Sequence, residues 1–564
     1  MAIAAHNPRN RGEMEETVME ALSRMTVGDL FDAVASRFPD REALVDIPTK
    51  TRYCYRELQQ IVSRLARGFL KLGIAKGEHL AIWTPNRSEY IIAELAAVKI
   101  GAVLVSIDTN AQPEQLEYLL RQSDSQTLLI AQGIKGTDTI TTIRRLCPEI
   151  DRSEPGRLDC RALPGLRRLI LIADRRIPGM LAWNEVLNSG NNVADLLLAE
   201  RQRSCHEEDV ATLLYTSGTT GAPKGVMSTH TGIITTTLAS ADNQRLTEAD
   251  RLCLSVPLSH MFGCVCVTLA AVVKGAAMVI PSESFDPKSV LKAIADERCT
   301  AIYGSPGSFI AMMEDPDYTK FDLRSLRTGI MGGAQCPLDV MKRVVEEMGA
   351  QEIVIGYGQT EASSWITMTR PDDPLELRVS TVGRPLPPVE VKLIDPASGR
   401  EVPTGAVGEI CARGLNMKGY YKMPAATANA IDPEGWLHTG DLGTMDANRY
   451  VRTTGRIKEV IVSGEETIYP AEIEEILFSH PKISNAQVFG VPGRTSGEDI
   501  AAWIKPEEGA AITAEEVLRH CRGKLPDSRL PRYIKFVEQF PTTPLGKVQK
   551  FRMREIAIKE YGLG

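Results

Sequence analysis

The chain has 564 residues, 43% of them hydrophobic and 24% charged, with a formal net charge of -7. At roughly 150 residues per domain that length predicts three or four structural units, and the composition is globular, which excludes disordered and fibrous classes. An acidic balance offers no basic surface for nucleic acid or an anionic membrane, so neither is expected as a partner, and an anionic ligand must be held by a few placed cations and backbone N–H groups.

The eleven cysteines include no C-x-x-C pair and only one close pair, Cys264 and Cys266, so they read as small apolar core residues rather than a disulfide or metal framework. The opening MAIAAHNPRNRGEMEE holds no apolar signal-peptide core, and a cytoplasmic location is the expectation. Between Glu78 and Gln132, short apolar runs (HLAIWT, AVLVSID, TLLIAQ) alternate with helix-period segments, a βαβαβ pattern that predicts a mostly parallel, helix-covered sheet. From Gln132 to Pro164 the chain turns polar and Arg-rich and is expected to be a surface excursion. Residues 262–273 form the longest apolar stretch. It stops at Lys274, well short of the roughly 18–20 residues that span a bilayer, and is expected to be a buried helix. The βα alternation returns at AAMVIP, AIYGSP, RTGIMGG and EIVIGYG. After Thr381 short strands punctuated by Gly and Pro predict a small antiparallel or barrel-like unit, and after Arg456 a compact segment with helices near 471–479 and 514–523 predicts a separate C-terminal α+β domain. The expected division is 1–457, with 381–455 as its β-rich part, and 458–564.

The chemistry concentrates in ATLLYTSGTTGAPKGV, an apolar strand running into a loop of Thr216, Ser217, Gly218, Thr219, Thr220, Gly221 and Lys224. Glycines let backbone N–H groups approach an anion, hydroxyls add donors and the lysine adds charge, which together cradle a polyphosphate. The spacing does not fit G-x-x-x-x-G-K-[ST], so this is not the P-loop of the NTPases.

YTSGTTGAPKG resembles the signature of the adenylate-forming superfamily of acyl-CoA synthetases, peptide-synthetase adenylation domains and luciferases. The family's other motifs follow in its order: PLSHMFG from Pro257, MGGAQCPL from Met331, GYGQTEAS from Gly356, GEICARG from Gly408, WLHTGDLGTMD from Trp436, GRIKEVIVSGEETIYPAEIE from Gly455 and PLGKVQK from Pro544. The resemblance covers about residues 26 to 555, and within the family the combination is most similar to medium-chain acyl-CoA synthetases. It implies a ligase that joins a carboxylic acid to AMP from ATP, releases pyrophosphate and passes the acyl group to CoA, with Mg²⁺ as the metal.

By the same resemblance Thr216, Ser217, Thr219, Thr220 and Lys224, with Gly218 and Gly221 in their loop, would hold the β- and γ-phosphates. Glu361 would ligate Mg²⁺ through a hard carboxylate oxygen. Thr360 would reach the α-phosphate within Gly356, Tyr357, Gly358 and Gln359, with Tyr357 on the adenine face and Gly333 and Ala334 against its edge. Asp441 would accept the ribose hydroxyls and Arg456 would contact the ribose. Lys547 would bridge carboxylate and α-phosphate as a point charge. His260, Gly332, Gly358 and Trp365 would border the acyl group, and His260, Ser463, Gly464 and Glu465 the CoA thiol's path. A hinge at Lys458 would let the C-terminal domain rotate between adenylation and thiol transfer.

Three positions in two motifs depart from the family pattern. Where the family usually reads G-G-E-N, this chain has Gly464-Glu465-Glu466-Thr467, which adds negative charge where pantetheine passes, and Leu545 replaces a usual serine or threonine. A carrier protein loaded in trans is therefore the alternative acceptor, and a luciferase-like oxygenase shares the first step. His260 stands where amino-acid-activating relatives carry an aspartate, so the acid is expected to lack an α-amino group, and a medium-chain, alicyclic or aromatic acid is expected over a long-chain one. The oligomeric state is left open, a homodimer included.

Overall fold

The apolar runs of the first half fold as strands because each is too short and too β-branched to make a helix, while the segments between them carry the 3.6-residue period and explicit caps. Thr26 caps the helix Val27–Arg37 by accepting from Asp29 N, and Asp286 caps Pro287–Glu297 by accepting from Ser289 N, with proline in the first turn, where its missing N–H costs nothing. A computed structural model describes residues 24–134, 136, 138–173, 176–216, 222–334, 336–463, 466–493, 497–542 and 548–563.

Two large sheets result. One has eight strands in the spatial order Gly419–Tyr420, Lys224–Thr229, Val210–Thr216, Val103–Ser106, His79–Trp83, Thr127–Ala131, Arg168–Ile172 and Leu181–Ala182, and the six from Val210–Thr216 onward run parallel. The other has nine, in the order Arg384–Pro385, Ser364–Met368, Glu352–Gln359, Thr328–Gly332, Ala301–Gly304, Arg251–Cys253, Ala277–Ile280, Glu42–Asp46 and Thr51–Cys54, parallel from Glu352–Gln359 to Glu42–Asp46. Every residue of the helix Ser88–Lys99 except Glu89 is buried, and its apolar side chains join one large core cluster. This is the helix-covered, mostly parallel architecture read from the alternation. Residues 262–273 are buried and helical as expected, but open with a π-helical turn, Phe262–Val267, before the α-helix Thr268–Lys274.

The reading of 132–164 as a surface excursion is corrected. The segment contains the helix Thr139–Leu146 and sends Ile140, Ile143, Cys147, Ile150, Leu158, Cys160 and Leu163 into a core cluster beneath the eight-stranded sheet. Its few apolar residues are so diluted by arginines on the outer face that the sequence window looks polar.

Packing divides the chain into two compact units, 1–390 with 412–437, and 391–411 with 438–564. The second unit's sheets are the four strands Glu390–Ile394, Gly408–Arg413, Leu437–Met445 and Val451–Arg456, the hairpin Ile461–Ser463 with Glu466–Ile468, and the three strands Ile483–Pro492, Glu498–Pro506 and Tyr533–Phe536. Its helices include Pro470–Phe478 and Ala514–Cys521, close to the expected positions. No described helix is long and apolar enough to cross a membrane.

Candidate active site

In the first unit the two strands that flank the expected phosphate loop form a hairpin. Val210–Thr216 and Lys224–Thr229 pair antiparallel and bring Thr216 opposite Lys224. Ser217, Gly218, Thr219, Thr220 and Gly221 lie outside the described residues, so the geometry begins at these two flanks. The short strand Gly419–Tyr420 pairs along the outer side of the hairpin, Tyr420 opposite Val226, and this places the Lys224 ammonium over the Tyr420 ring at 4.7 Å. Tyr420 in turn donates its hydroxyl hydrogen to Glu361 Oε1 at 2.9 Å, and the backbone closes the same contact through Met417 N to Glu361 O at 2.7 Å. Burial, reinforced by the Glu361 charge, pushes the Tyr420 phenol far up, so it stays a donor at any working pH. A cation, a phenol donor and a carboxylate thus meet beside the hairpin. Tyr420 was not singled out from the sequence. Its signal is only an aromatic pair in KGYYK, which acquires meaning once the strand pairing is known.

Glu361 sits on a 3₁₀ turn, Thr360–Ala362, at the end of Glu352–Gln359, followed by Ser363 with φ 57° and Ser364 with φ 129°. Two consecutive non-glycine residues at positive φ store roughly 1–3 kcal/mol each and cluster at functional turns. They reverse the chain sharply, so that the next strand, Ser364–Met368, runs back antiparallel with Trp365 opposite Gly358. That reversal needs a glycine at 358, where a Cβ would lie 1.8 Å from Ser364 O. Gly356 and Gly332, paired on adjacent strands, then receive the six-membered edge of the Trp365 indole. A Cβ would come within 2.7 Å of the ring at Gly356 and 3.7 Å at Gly332. Phe262 meets Trp365 edge-on at 5.6 Å. Gly333 and Ala334 follow the end of Thr328–Gly332 and are exposed, whereas Tyr357 and Gln359 are half-buried and Thr360 buried. His260 is exposed, and its Nδ1 accepts from Phe262 N at 3.0 Å. A cleft of about 700 Å³ elsewhere in this unit, lined by Tyr53, Arg87, Gln132 and Trp183 among others, contains none of the motif residues.

In the second unit Asp441 and Arg456 face each other across neighbouring strands and form an ion pair, Nε to Oδ1 2.8 Å. The turn that presents Asp441 is tied by a buried residue passed over in the sequence, Glu409 of GEICARG. One of its oxygens accepts from His438 Nδ1 at 2.9 Å and the other from Gly440 N at 3.1 Å. Since a carboxylate can only accept, His438 Nδ1 carries a hydrogen. Lys458 lies on the 3₁₀ turn Ile457–Glu459 and Ser463 ends the strand Ile461–Ser463, opposite Glu466, whose carboxylate is held by Arg529 at 2.7 Å. Gly464, Glu465, Leu545 and Lys547 lie outside the described residues.

The chain matches the family model described as "AMP-binding enzyme" over residues 31–421 and that of the "AMP-binding enzyme C-terminal domain" over 472–547. It belongs to the AMP-binding enzymes, the adenylate-forming superfamily. A putative acyl-CoA synthetase, YngI, of Bacillus subtilis (strain 168) is 44% identical over 546 residues, spanning 97% of this chain and 99% of the relative. The mitochondrial medium-chain acyl-CoA ligase ACSF2 of Danio rerio is 36% identical, spanning 100% and 94%. Among solved structures, the anthranilate CoA ligase AuaEII in complex with anthranoyl-AMP superposes with a TM-score of 0.82 at 25% identity, covering 96% of this chain and 98% of that one. The resemblance read from the motifs is borne out, as are the α/β architecture and the enzyme class: an ATP-dependent acyl-CoA ligase that works through an acyl-adenylate.

Proposed function

We propose that the chain activates a medium-chain, alicyclic or aromatic carboxylic acid in a site bordered by His260, Gly332, Gly358 and Trp365, and transfers it to CoA. The observation that carries this reading is the Trp365 indole laid across Gly332 and Gly356, which fills depth that a long alkyl chain would need. In the first half-reaction a carboxylate oxygen attacks the α-phosphorus, the P–O bond to pyrophosphate breaks, and acyl-AMP forms. In the second the CoA thiolate attacks the acyl carbon and AMP leaves. Neither step needs a side-chain nucleophile, so the residues act by position and charge.

Thr216 and Lys224, with the loop 217–221 between them, hold the β- and γ-phosphates and then the leaving pyrophosphate. Lys224 over Tyr420 is directed rather than free to rotate, which lowers the entropy lost when phosphate arrives. Glu361 fits a Mg²⁺ ligand: the Tyr420 donor fixes its carboxylate and leaves acceptor capacity on a hard oxygen. A Mg²⁺ ion bound there would supply neutralising charge to the triphosphate. Thr360 reaches the α-phosphate, Gly333, Ala334 and Tyr357 border the adenine, and Asp441 takes the ribose hydroxyls with Arg456 beside it. Lys547 stabilises the charge that develops between carboxylate and phosphate, and Lys458 is the hinge that exchanges Lys547 for the CoA-facing residues Ser463, Gly464 and Glu465.

Pyrophosphate release over a panel of acids, with and without CoA and with product masses, tests the reading. Octanoate, cyclohexanecarboxylate or benzoate is expected to outpace palmitate, and an acyl-CoA mass is expected only with CoA; faster turnover of palmitate overturns the size class. Lys547→Ala is expected to slow adenylation by about 10²–10³, and unchanged pyrophosphate release would remove Lys547 from the mechanism.

A further inference from the structure

The strand Gly408–Arg413 carries Glu409 and Cys411 two residues apart, so both side chains leave the same face, and His438 stands on the neighbouring strand Leu437–Met445. Thr439 Oγ1 ties the two strands by donating to Ile410 O at 2.6 Å. His438 Nδ1 lies 2.9 Å from Glu409 Oε2 and 3.8 Å from Cys411 Sγ, and one donor atom from each of the three residues falls within 4.8 Å of the others. Cys411 is fully buried and the Glu409 side chain is 8% exposed, while that of His438 is 30% exposed and opens the group to solvent. The group has no motif in the sequence, because strand pairing creates it.

Thiolate sulfur, imidazole nitrogen and carboxylate oxygen are the donor set of zinc-class ions. Around a tetrahedral ion with bonds of about 2.3 Å to sulfur and about 2.0–2.1 Å to nitrogen and oxygen, sulfur and nitrogen stand about 3.6 Å apart and oxygen and nitrogen about 3.4 Å. The observed separations differ from these by about 0.2 Å and 0.5 Å, which small side-chain rotations supply. The charges close as well. Cys411 gives its thiol proton to solvent, the ion replaces the hydrogen on His438 Nδ1, and thiolate and carboxylate together cancel its two positive charges. Mg²⁺ does not compete, because it prefers hard oxygen ligands in an octahedron. A second group, Cys147, Glu149 and Cys160, is as closely set, but both its thiols are at most 1% exposed and offer an ion no comparable entry.

We propose that Glu409, Cys411 and His438 bind a zinc-class divalent cation, a different ion from the Mg²⁺ that accompanies ATP, and that its arrival weakens ATP binding through Asp441. Opening the Glu409–His438 pair to admit the ion displaces a carboxylate whose other oxygen accepts from Gly440 N at 3.1 Å, one residue before Asp441. The effect on ATP rests on the reading of Asp441 as the residue that takes the ribose hydroxyls, whereas the binding of the ion does not.

The test is titration of the full chain with Co²⁺, a zinc stand-in, under excess Mg²⁺, read by the thiolate-to-cobalt charge-transfer absorption. Wild type is expected to show the band. Cys411→Ser should weaken the binding behind it by about a hundredfold or more, since even a group that only orients a ligand is worth about 10–100-fold. His438→Asn, which keeps an N–H for Glu409, should weaken it likewise. No band in wild type, or a band unchanged in both variants, overturns the site. Should the variants fail to fold, alkylation of Cys411 in wild type, mapped by mass, decides the location: Zn²⁺ is expected to slow it, and equal rates with and without Zn²⁺ overturn the site. Under saturating Mg²⁺, Zn²⁺ is expected to raise KM for ATP by up to about tenfold in wild type and not in Cys411→Ser, the effect of about half an ångström of displacement where a full ångström can cost about a hundredfold. Binding without that rise overturns the coupling to Asp441. Asp441→Ala separates the two readings: if it leaves KM for ATP unchanged, the ribose assignment fails while the cobalt signal stands.

Discussion

Glu94 provides the sharpest test of the packing. It sits in the middle of the buried helix Ser88–Lys99, 3% exposed, with Oε2 lacking a partner among the described residues, and burial pushes its carboxyl well above the ordinary value. In the unfolded chain the same group ionises at ~4.3, so holding it neutral in the fold costs about 1.4 kcal/mol for each pH unit above that value until the raised folded value is reached. The sign follows from proton counting. A carboxyl with a raised folded pKa binds more protons in the native state, so its penalty is absent below the unfolded pKa and grows as pH rises toward the folded one. Glu94→Gln keeps the shape and removes the titration. Urea unfolding of both proteins between about pH 5 and pH 8 should show the variant's advantage growing as pH rises, with a slope of up to about 1.4 kcal/mol per pH unit below the raised folded value. A difference independent of pH, or a variant less stable throughout, would refute the placement of an unpaired acid in this core.

Other expectations concern the site itself. Tyr420→Phe removes the donor to Glu361 and should lower kcat/KM for ATP by about 10–100-fold, the worth of a hydrogen bond to a charged group, with little change in the urea midpoint. Gly358→Ala places a methyl against Ser364 O and should cost at least about 2 kcal/mol in stability along with adenylation, read by thermal unfolding and pyrophosphate release. Ser363→Gly relieves a positive φ at a residue whose hydroxyl has no partner among the described residues and should raise stability by about 0.5–1 kcal/mol, visible as a higher urea midpoint.

The parts of this molecule that were legible beforehand are those whose chemistry is written in contiguous residues. YTSGTTGAPKG and GYGQTEAS each carry the family resemblance within one contiguous stretch, and the match to the AMP-binding enzyme family bears that resemblance out. Tyr420 was invisible for the opposite reason: it becomes a partner of Glu361 and Lys224 only when a two-residue strand pairs with a hairpin nearly two hundred residues earlier. Glu409 likewise reads as an ordinary strand carboxylate until His438 and Gly440 are found on its two oxygens. The segment 132–164 was misread because a sequence window averages the two faces of a short helix that the fold keeps apart.

The division of the chain has a mechanical corollary. The polypeptide passes from one compact unit to the other three times, near 390, 411 and 437, so no single bond rotation can carry one whole unit past the other. The proposed pivot at Lys458 would turn something smaller: the segment after it, attached through one covalent crossing, while the four strands ending at Val451–Arg456 would stay with the chain before it. In such a pivot Asp441 and Arg456 belong to the stationary frame and Ser463 and Lys547 to the moving arm. The nucleotide's ribose contacts would then be kept through both half-reactions while the groups at the acyl carbon are exchanged.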